Sequence, residues 1–126
     1  MAYLIAEYYL NELNEWTETI KNYEADIHAF NLKLYEIIRR DAIPQIAEKL
    51  EPGFELLKKQ EQNFTSLQES IQLQEEKLLK DEIPVDNSAI VSDIKANQDS
   101  IRQLMHSAEK EFIDAKYTCY QLLSSI

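Results

Sequence analysis

The side chains of this chain that best suit metal chemistry are its two histidines and the carboxylates near them. A helical bundle that holds a metal pair typically places Glu-x-x-His on facing helices, so that carboxylate and imidazole reach one ion. Ala25 and Gln103 stand three residues before His28 and His106, so neither histidine completes this motif. The sequence predicts no metal site and no bound cofactor.

The single cysteine is the other residue that could act as a nucleophile or a redox group. Cys119 lies in "KYTCYQLL", among apolar residues near the end of a predicted helix. A reactive thiolate needs a nearby histidine or a helix N-terminus to lower its pKa, and this position offers neither. One cysteine also cannot form an internal disulfide. We expect a buried, reduced thiol that packs as a small apolar side chain.

Phosphate and acid–base chemistry are disfavoured by the composition. The 126 residues include one glycine, so there is no glycine-rich loop to hold a phosphate. Carboxylate pairs such as Glu75–Glu76 lie in helical runs that offer no cleft to shift their pKa values. The net charge of −10 is spread along the chain without a basic cluster, which disfavours nucleic acids and anionic membrane surfaces as partners. We therefore expect a non-enzymatic protein.

Apolar residues in the first third of the chain follow a seven-residue repeat, with separations that alternate between three and four. This repeat predicts a long helix over residues 3–39, whose apolar stripe packs against partner helices in a left-handed supercoil. One glycine and three prolines in the whole chain agree with long, uninterrupted helices. The predicted stripe consists of Ala2, Ala6, Tyr9, Leu13, Trp16, Ile20, Tyr23, Ile27, Phe30, Leu34 and Ile37.

A second helix is predicted over residues 42–80. In the preceding break, "RRDAIPQ", Asp41 can cap the helix, and Pro44 falls in the first turn, where its missing N–H costs little. The stretch "LEPGFELL" either kinks or breaks this helix near Pro52–Gly53, or is the real turn and lengthens the first helix; we favour a kink or short break. The predicted stripe consists of Ile43, Ile46, Leu50, Phe54, Leu57, Phe64, Leu67, Ile71 and Leu78, with Glu61 and either Gln74 or Glu75 at core positions.

A third helix is predicted over residues 88–125, after a loop at 81–87 that contains Pro84. Its stripe has two successive separations of four around Ala108, and it places Asn97 in the core. A buried polar residue in a coiled coil often fixes the register, but Asn97 and Glu61 could instead be partly exposed. The predicted stripe consists of Ile90, Ile94, Asn97, Ile101, Leu104, Ala108, Phe112, Ala115, Cys119, Leu122 and Ile126.

Three helices of nearly equal length, joined by short connections, predict one all-α domain over residues 1–126. The expected architecture is an antiparallel, up-down-up three-helix bundle with coiled-coil packing. The opening stretch, "MAYLIAEYYLNELNEW", has no basic residue, and Glu7 interrupts its apolar run. We expect it to form part of a helix, rather than a signal peptide or a membrane span, in a cytoplasmic protein.

Large apolar residues outside the stripes concentrate at two helix ends, which an up-down-up bundle places at opposite ends of the rod. We expect these residues to bind a partner protein, with a homo-oligomer burying both ends; alternatively, loops and neighbouring helices cover them. The predicted function is a self-associating interaction or scaffold module, and the alternative is a chaperone-like adaptor that binds a client protein. The predicted interface consists of Tyr3, Leu4, Tyr8, Leu10, Ile113, Tyr117, Tyr120 and Leu123.

Two groups of helical proteins share features with this chain. "YYLNELNEW", which contains Tyr9, Leu13 and Trp16, is followed by "LLKKQEQNFTSLQESIQLQEEKL" and a final long helix. This pattern resembles the spectrin-type three-helix repeat, which also carries a tryptophan in its first helix, although the third helix here has none. It also resembles small bacterial coiled-coil bundle proteins of unknown function that carry a "Q-N-x-F"-like stretch in helix 2, here "EQNF". The first resemblance implies a structural spacer, and the second implies no known activity.

Overall fold

Three long α-helices form the described part of the computed structural model, which covers residues 5–40, 45–79 and 92–125. They are α1 (Ile5–Arg40), α2 (Ile46–Leu79) and α3 (Ser92–Ser124), and no strand occurs in these ranges. Gln45 has a φ of 72°, outside the helical range, so α2 begins four residues after the predicted start. The predicted cap at Asp41, Pro44, the loop at 81–87 and residues 88–91 of the predicted third helix lie outside the described residues.

Contacts between the helices establish the up-down-up topology that the sequence predicts. Hydrogen bonds between α1 and α3 join residues separated by 86 to 90 positions, from Tyr9 to Asp26 along α1. A constant difference in residue number means that two helices run parallel. As the residue number rises along α2, the number of its partner falls: Phe54 packs on Tyr35 and Phe64 on Tyr23 of α1. Likewise, Phe64 packs on Phe112 and Gln74 bonds to Gln98 of α3, so α2 runs antiparallel to both helices.

The predicted stripe of α1 forms its side of the core. Seven of the residues in this stripe are buried: Ala6, Tyr9, Leu13, Ile20, Ile27, Phe30 and Leu34. Trp16, Tyr23 and Ile37 are partly buried and pack against the same cluster, while Ala2 lies outside the described residues. The strict heptad spacing therefore gives the correct register for α1, because apolar residues occupy all its core positions.

The register of α3 differs from the prediction in its first half. Gln98 and Met105 are buried, whereas Asn97 is only partly buried and Leu104 has 51% of its surface exposed. With Gln98 and Met105 in the core, the spacing alternates regularly between three and four up to Cys119, so the predicted irregularity around Ala108 is wrong. The prediction depends on apolar residue type, and it fails here because a glutamine lies in the core and a leucine lies on the surface.

Helix α2 continues without interruption through Pro52 and Gly53, so the predicted short break and the alternative of a turn at this point are both wrong. Pro52 lies inside the helix, as the kink alternative requires, and it leaves the carbonyl of exposed Glu48 without an intrahelical donor. Gly53 is buried where the helices approach closely, since a Cβ atom there would lie 3.2 Å from Leu122 Cδ1 and 3.5 Å from Leu34 Cδ1. The glycine serves close helix packing rather than a turn.

Candidate protein-interaction surfaces

A hydrogen-bond network joins all three helices near the start of α1. The Gln98 side chain lies in the core and donates to the Tyr9 carbonyl (3.2 Å) and to Glu12 Oε1 (2.9 Å). Gln74, also buried, donates to Gln98 Oε1 (3.1 Å) and to the Ile94 carbonyl (2.8 Å). The network therefore ties α1 and α2 to the same residue of α3.

Charged groups close this network at the surface. Arg102 donates two hydrogen bonds to the Glu12 carboxylate, at 2.9 and 2.6 Å, and a third to Asp99 at 2.6 Å. Partial burial by itself raises the pKa of Glu12, but the hydrogen bonds from Arg102 and Gln98 outweigh it and leave this pKa below its ordinary value. The same bond to Glu12 raises the pKa of Arg102. These shifts arise from contacts between helices rather than from a cleft.

A second buried glutamine, Gln60 of α2, has no such network. Its side chain is fully buried, and neither amide atom has a hydrogen-bond partner. Nearby Glu111 accepts bonds from Lys59 and Asn63, both at 3.0 Å. Lys59 is the main cause of the lowered pKa of Glu111, and the Gln60 amide contributes weakly without normal hydrogen-bond geometry. The predicted core residue Glu61 is exposed, so the polar core position lies one residue earlier.

Three aromatic rings fill the middle of the bundle, one from each helix. Tyr23 stacks against Phe64 at 5.3 Å and tilts against Phe112 at 4.9 Å, while the two phenylalanines meet edge to face. The Tyr23 hydroxyl donates to Glu109 at 2.7 Å. Burial and this bond raise the pKa of Tyr23 to about 12, so the phenol stays protonated at neutral pH.

The predicted interface residues divide into exposed and partly buried ones. Ile113, Tyr117 and Tyr120 are 60%, 64% and 55% exposed, and their separations of four and three place them in one stripe of α3. Leu10 and Leu123 are partly buried and pack against the core. Tyr8, which is 60% exposed, lies at the opposite end of the bundle, near the start of α1, and Tyr3 and Leu4 lie outside the described residues.

We call Ile113, Tyr117 and Tyr120 the aromatic patch. Tyr120 is anchored at one edge because its ring packs edge to face on Phe30 of α1, with 5.0 Å between ring centres. A shallow pocket of about 210 Å³ adjoins it, between α1 and α3. This pocket is lined by Asp26, Ala29, Phe30, Lys33, Lys116 and Tyr120.

A second surface was not predicted from the sequence. The outer groove between α2 and α3 contains two shallow pockets, of about 210 and 270 Å³, which share Ser70 and Leu104. We call it the serine groove and define it by six uncharged residues: Ser66, Ser70, Leu73, Ser100, Leu104 and Ser107. The sequence does not predict this surface, because the apolar repeat places Leu104 in the core. The alternative register, with Met105 in the core, places Leu104 on the surface and could have revealed it.

The residues with potential for chemistry are dispersed. His28 and His106 are exposed on different helices, and residues 5–40, 45–79 and 92–125 contain no group of three or more His, Cys, Asp or Glu side chains placed to hold a metal. Cys119 is buried with its Sγ 4.0 Å from the Gly53 carbonyl oxygen, and burial raises the pKa of its thiol. Among the described helices, none is long and apolar enough to cross a membrane.

Comparison with known proteins identifies no relative. No protein-family model matches the chain, and neither curated proteins nor solved structures give a significant match.

Proposed function

We propose that this chain is a non-enzymatic interaction or scaffold module that self-associates and uses its aromatic patch to bind another protein. The observation that carries this proposal is the exposure of Ile113, Tyr117 and Tyr120, each more than half exposed and all in one stripe. Tyrosine is favoured at protein interfaces because it combines a large apolar ring with a hydroxyl that can form hydrogen bonds.

The patch differs from an ordinary scatter of surface apolar residues. Isolated exposed apolar side chains are normal on a folded protein, but contiguous ones mark contact sites. Tyr120 is held by Phe30, and Lys116 beside it bonds to Asp26 at 3.4 Å. A partner would therefore meet a Tyr120 ring that is already held in place, which lowers the entropy lost on binding.

The perturbed polar groups support a structural rather than a catalytic role. Glu12, Arg102 and Glu111 owe their pKa shifts to hydrogen bonds within and between the helices of the bundle. Those bonds already occupy the groups that a catalytic mechanism would require to be available for substrate. The proposal includes a cytoplasmic location, because a single cysteine offers no internal disulfide of the kind that stabilises small secreted domains.

Site-specific photo-crosslinking in the native cells tests the patch. Benzoylphenylalanine would replace Tyr117 or Tyr120 in separate variants, and Tyr35 in a matched control. Tyr35 is also an exposed tyrosine (56%), but it packs against Phe54 on the α2 side of α1. We expect the same adduct, of one defined mass, from positions 117 and 120 and none from position 35. Absence of an adduct at both patch positions would contradict the proposal.

The mass of the adducts also separates the competing functions. The aromatic patch presents apolar surface in the isolated chain, as a chaperone-like adaptor would. Adducts with many proteins of different mass, from positions 117 and 120 only, would favour client binding. A single adduct of one partner mass would favour a dedicated interaction module. An adduct of twice the 14.8 kDa chain would make the patch the site of self-association.

A further inference from the structure

Several features that oppose a stable, packed helix lie between residues 45 and 60, in the first half of α2. Gln45, which precedes the helix, has a φ of 72°, in the left-handed region that residues other than glycine seldom adopt. Pro52 and Gly53 belong to the two residue types least favourable in a helix interior. Gln60 is fully buried, and neither atom of its amide has a hydrogen-bond partner. Each feature raises the free energy of this segment while it is folded and packed.

The second half of α2 is built differently. Residues 61–79 contain neither proline nor glycine. The buried glutamine of this half, Gln74, donates to the Ile94 carbonyl and to Gln98 Oε1, although its own side-chain oxygen has no partner. Phe64 packs against an aromatic ring of each of the other two helices. The two halves of α2 should therefore differ in stability, and parts of a native protein that differ in stability can open separately.

The first half of α2 covers side chains of both other helices. The side chains nearest to the Cβ side of Gly53 are Leu34 of α1 and Leu122 and Cys119 of α3. Cys119 is fully buried, and its Sγ lies 4.0 Å from the Gly53 carbonyl oxygen. Detachment of the first half of α2 would therefore expose the thiol of Cys119 to solvent.

We propose that residues 45–60 form a cover that detaches and unfolds as a unit, while α1, α3 and the rest of α2 stay folded. In the open state, water bonds to the Gln60 amide, the backbone at Gln45 leaves the left-handed region, and Cys119 is accessible. The opening also uncovers the apolar side chains of Leu34 and Leu122. This conformational device goes beyond the proposed function, because it requires no partner protein.

The rate at which Cys119 reacts with a thiol reagent such as Ellman's reagent measures the opening, since the chain has one cysteine. If the cover opens locally, the rate at low urea should change little with urea concentration, because a short segment exposes little new surface. At higher urea, the rate should rise with the slope of global unfolding, measured by circular dichroism. A rate that follows this global slope down to zero urea would overturn the proposal.

Two substitutions and a matched control locate the opening in α2. Gln60→Leu should slow the reaction at low urea by about tenfold, because the closed state no longer contains an unsatisfied amide. Pro52→Ala, at an exposed position, should slow it by about tenfold or more, because alanine favours the helix of the closed state. Gln62→Leu, at an exposed position of the same helix, should change the rate by less than about twofold.

Fraying of α3 is the competing explanation for a reactive Cys119. Unwinding of α3 from Ser124 would expose the thiol without exposing Gln60, because Cys119 lies near the end of this helix. The reaction rate would then be unchanged by both Gln60→Leu and Pro52→Ala. That result would assign the reactivity to fraying and overturn the proposed cover.

Gln98→Leu separates local from global opening. This change removes bonds to Tyr9 and Glu12 near the start of α1 and leaves residues 45–60 unaltered. We expect an unchanged rate at low urea, even though the whole chain unfolds more easily. If Gln98→Leu accelerates the reaction as much as it favours global unfolding, Cys119 reacts only from the unfolded chain and the proposal fails. The crosslinking test of the aromatic patch is independent of each of these outcomes.

Discussion

Gln98 and Gln60 are both fully buried in the same core, but only the amide group of Gln98 has hydrogen-bond partners. The amide of Gln98 bonds to α1 and α2, and its partner Glu12 is held by Arg102. The amide of Gln60 has no partner at either atom. The two glutamines lie in different parts of the bundle, Gln98 near the start of α1 and Gln60 towards the other end.

We call the surroundings of Gln98 the bonded layer and those of Gln60 the unbonded layer. The difference between them shows what the hydrogen bonds contribute to the alignment of the helices. Helices α1 and α3 approach each other less closely than either approaches α2, so apolar packing alone constrains their parallel alignment weakly. Gln98, Glu12 and Arg102 span this seam with directional bonds that only one alignment satisfies. Near Gln60, the polar groups of Lys59 and Glu111 bond to each other, and the amide is left unsatisfied.

The largest expected effect concerns the apolar layer between the two glutamines. Phe64→Ala should lower the free energy of unfolding by about 3–5 kcal/mol, because Phe64 is fully buried against Tyr23 and Phe112. Urea unfolding followed by circular dichroism measures this loss. Leu79→Ala is the control, since Leu79 is 58% exposed and should change stability little. Equal effects of the two changes would mean that the core assignment is wrong.

The next effect breaks the bonded layer. Gln98→Leu should lower the free energy of unfolding by about 1–3 kcal/mol, because it removes the bonds to Glu12 and Tyr9 and leaves buried Gln74 with one partner fewer. The same urea titration measures it. Gln103→Leu, an exposed position on α3, is the matched control and should have little effect. A stabilising Gln98→Leu would show that the network does not contribute to folding.

The corresponding change in the unbonded layer should have the opposite sign. Gln60→Leu should raise the free energy of unfolding by about 1–2 kcal/mol, because it replaces an unsatisfied buried amide by an apolar side chain of similar size. Gln62→Leu, an exposed position on α2, controls for the change in composition. A loss of stability in Gln60→Leu would remove the contrast between the two layers.

The sequence predicts the three helices, their topology and the stripe of α1, because a regular apolar repeat determines all three. It fails where core and surface chemistry are exchanged. The three–four spacing places the polar residues Glu61 and Asn97 in the core, whereas the structure buries the neighbouring Gln60 and Gln98. Leu104 was assigned to the core because it is apolar, which concealed the serine groove. Comparing the two possible registers can reveal such an exchange, and the packing of all three helices decides between them.

For the candidate surfaces, the sequence supplies the composition but not the grouping. Tyr117 and Tyr120 were recognised as apolar residues outside the core stripe, and the structure shows both exposed. Leu123 has the same apolar character but packs against the core. Residue type is similar in these cases, and only the packed structure distinguishes the exposed tyrosines from the partly buried leucine.

The smallest expected effect is a pH-dependent change in stability, which tests how much the charge of Glu12 contributes to the bonded layer. The folded pKa of Glu12 lies below its ordinary value of 4.5, so its stabilising contribution is present above about pH 4.5 and is lost as the pH falls through the folded value. Glu12→Gln should lower the free energy of unfolding by about 0.5–1 kcal/mol at pH 7, since Arg102 is partly exposed and water screens the pair. The difference between Glu12→Gln and the unmodified chain should then shrink below pH 4.5.

Thermal unfolding of both chains between pH 3 and 7 measures this convergence. Glu76→Gln, at an exposed position on α2, removes the same charge without touching the network, and it corrects for the fall in net repulsion on acidification. If Glu12→Gln and the unmodified chain stay equally far apart at every pH, the side chain contributes through packing rather than through its charge. Gln98 and Gln74 would then hold the bonded layer together by neutral hydrogen bonds, and the contrast with Gln60 would depend on geometry alone.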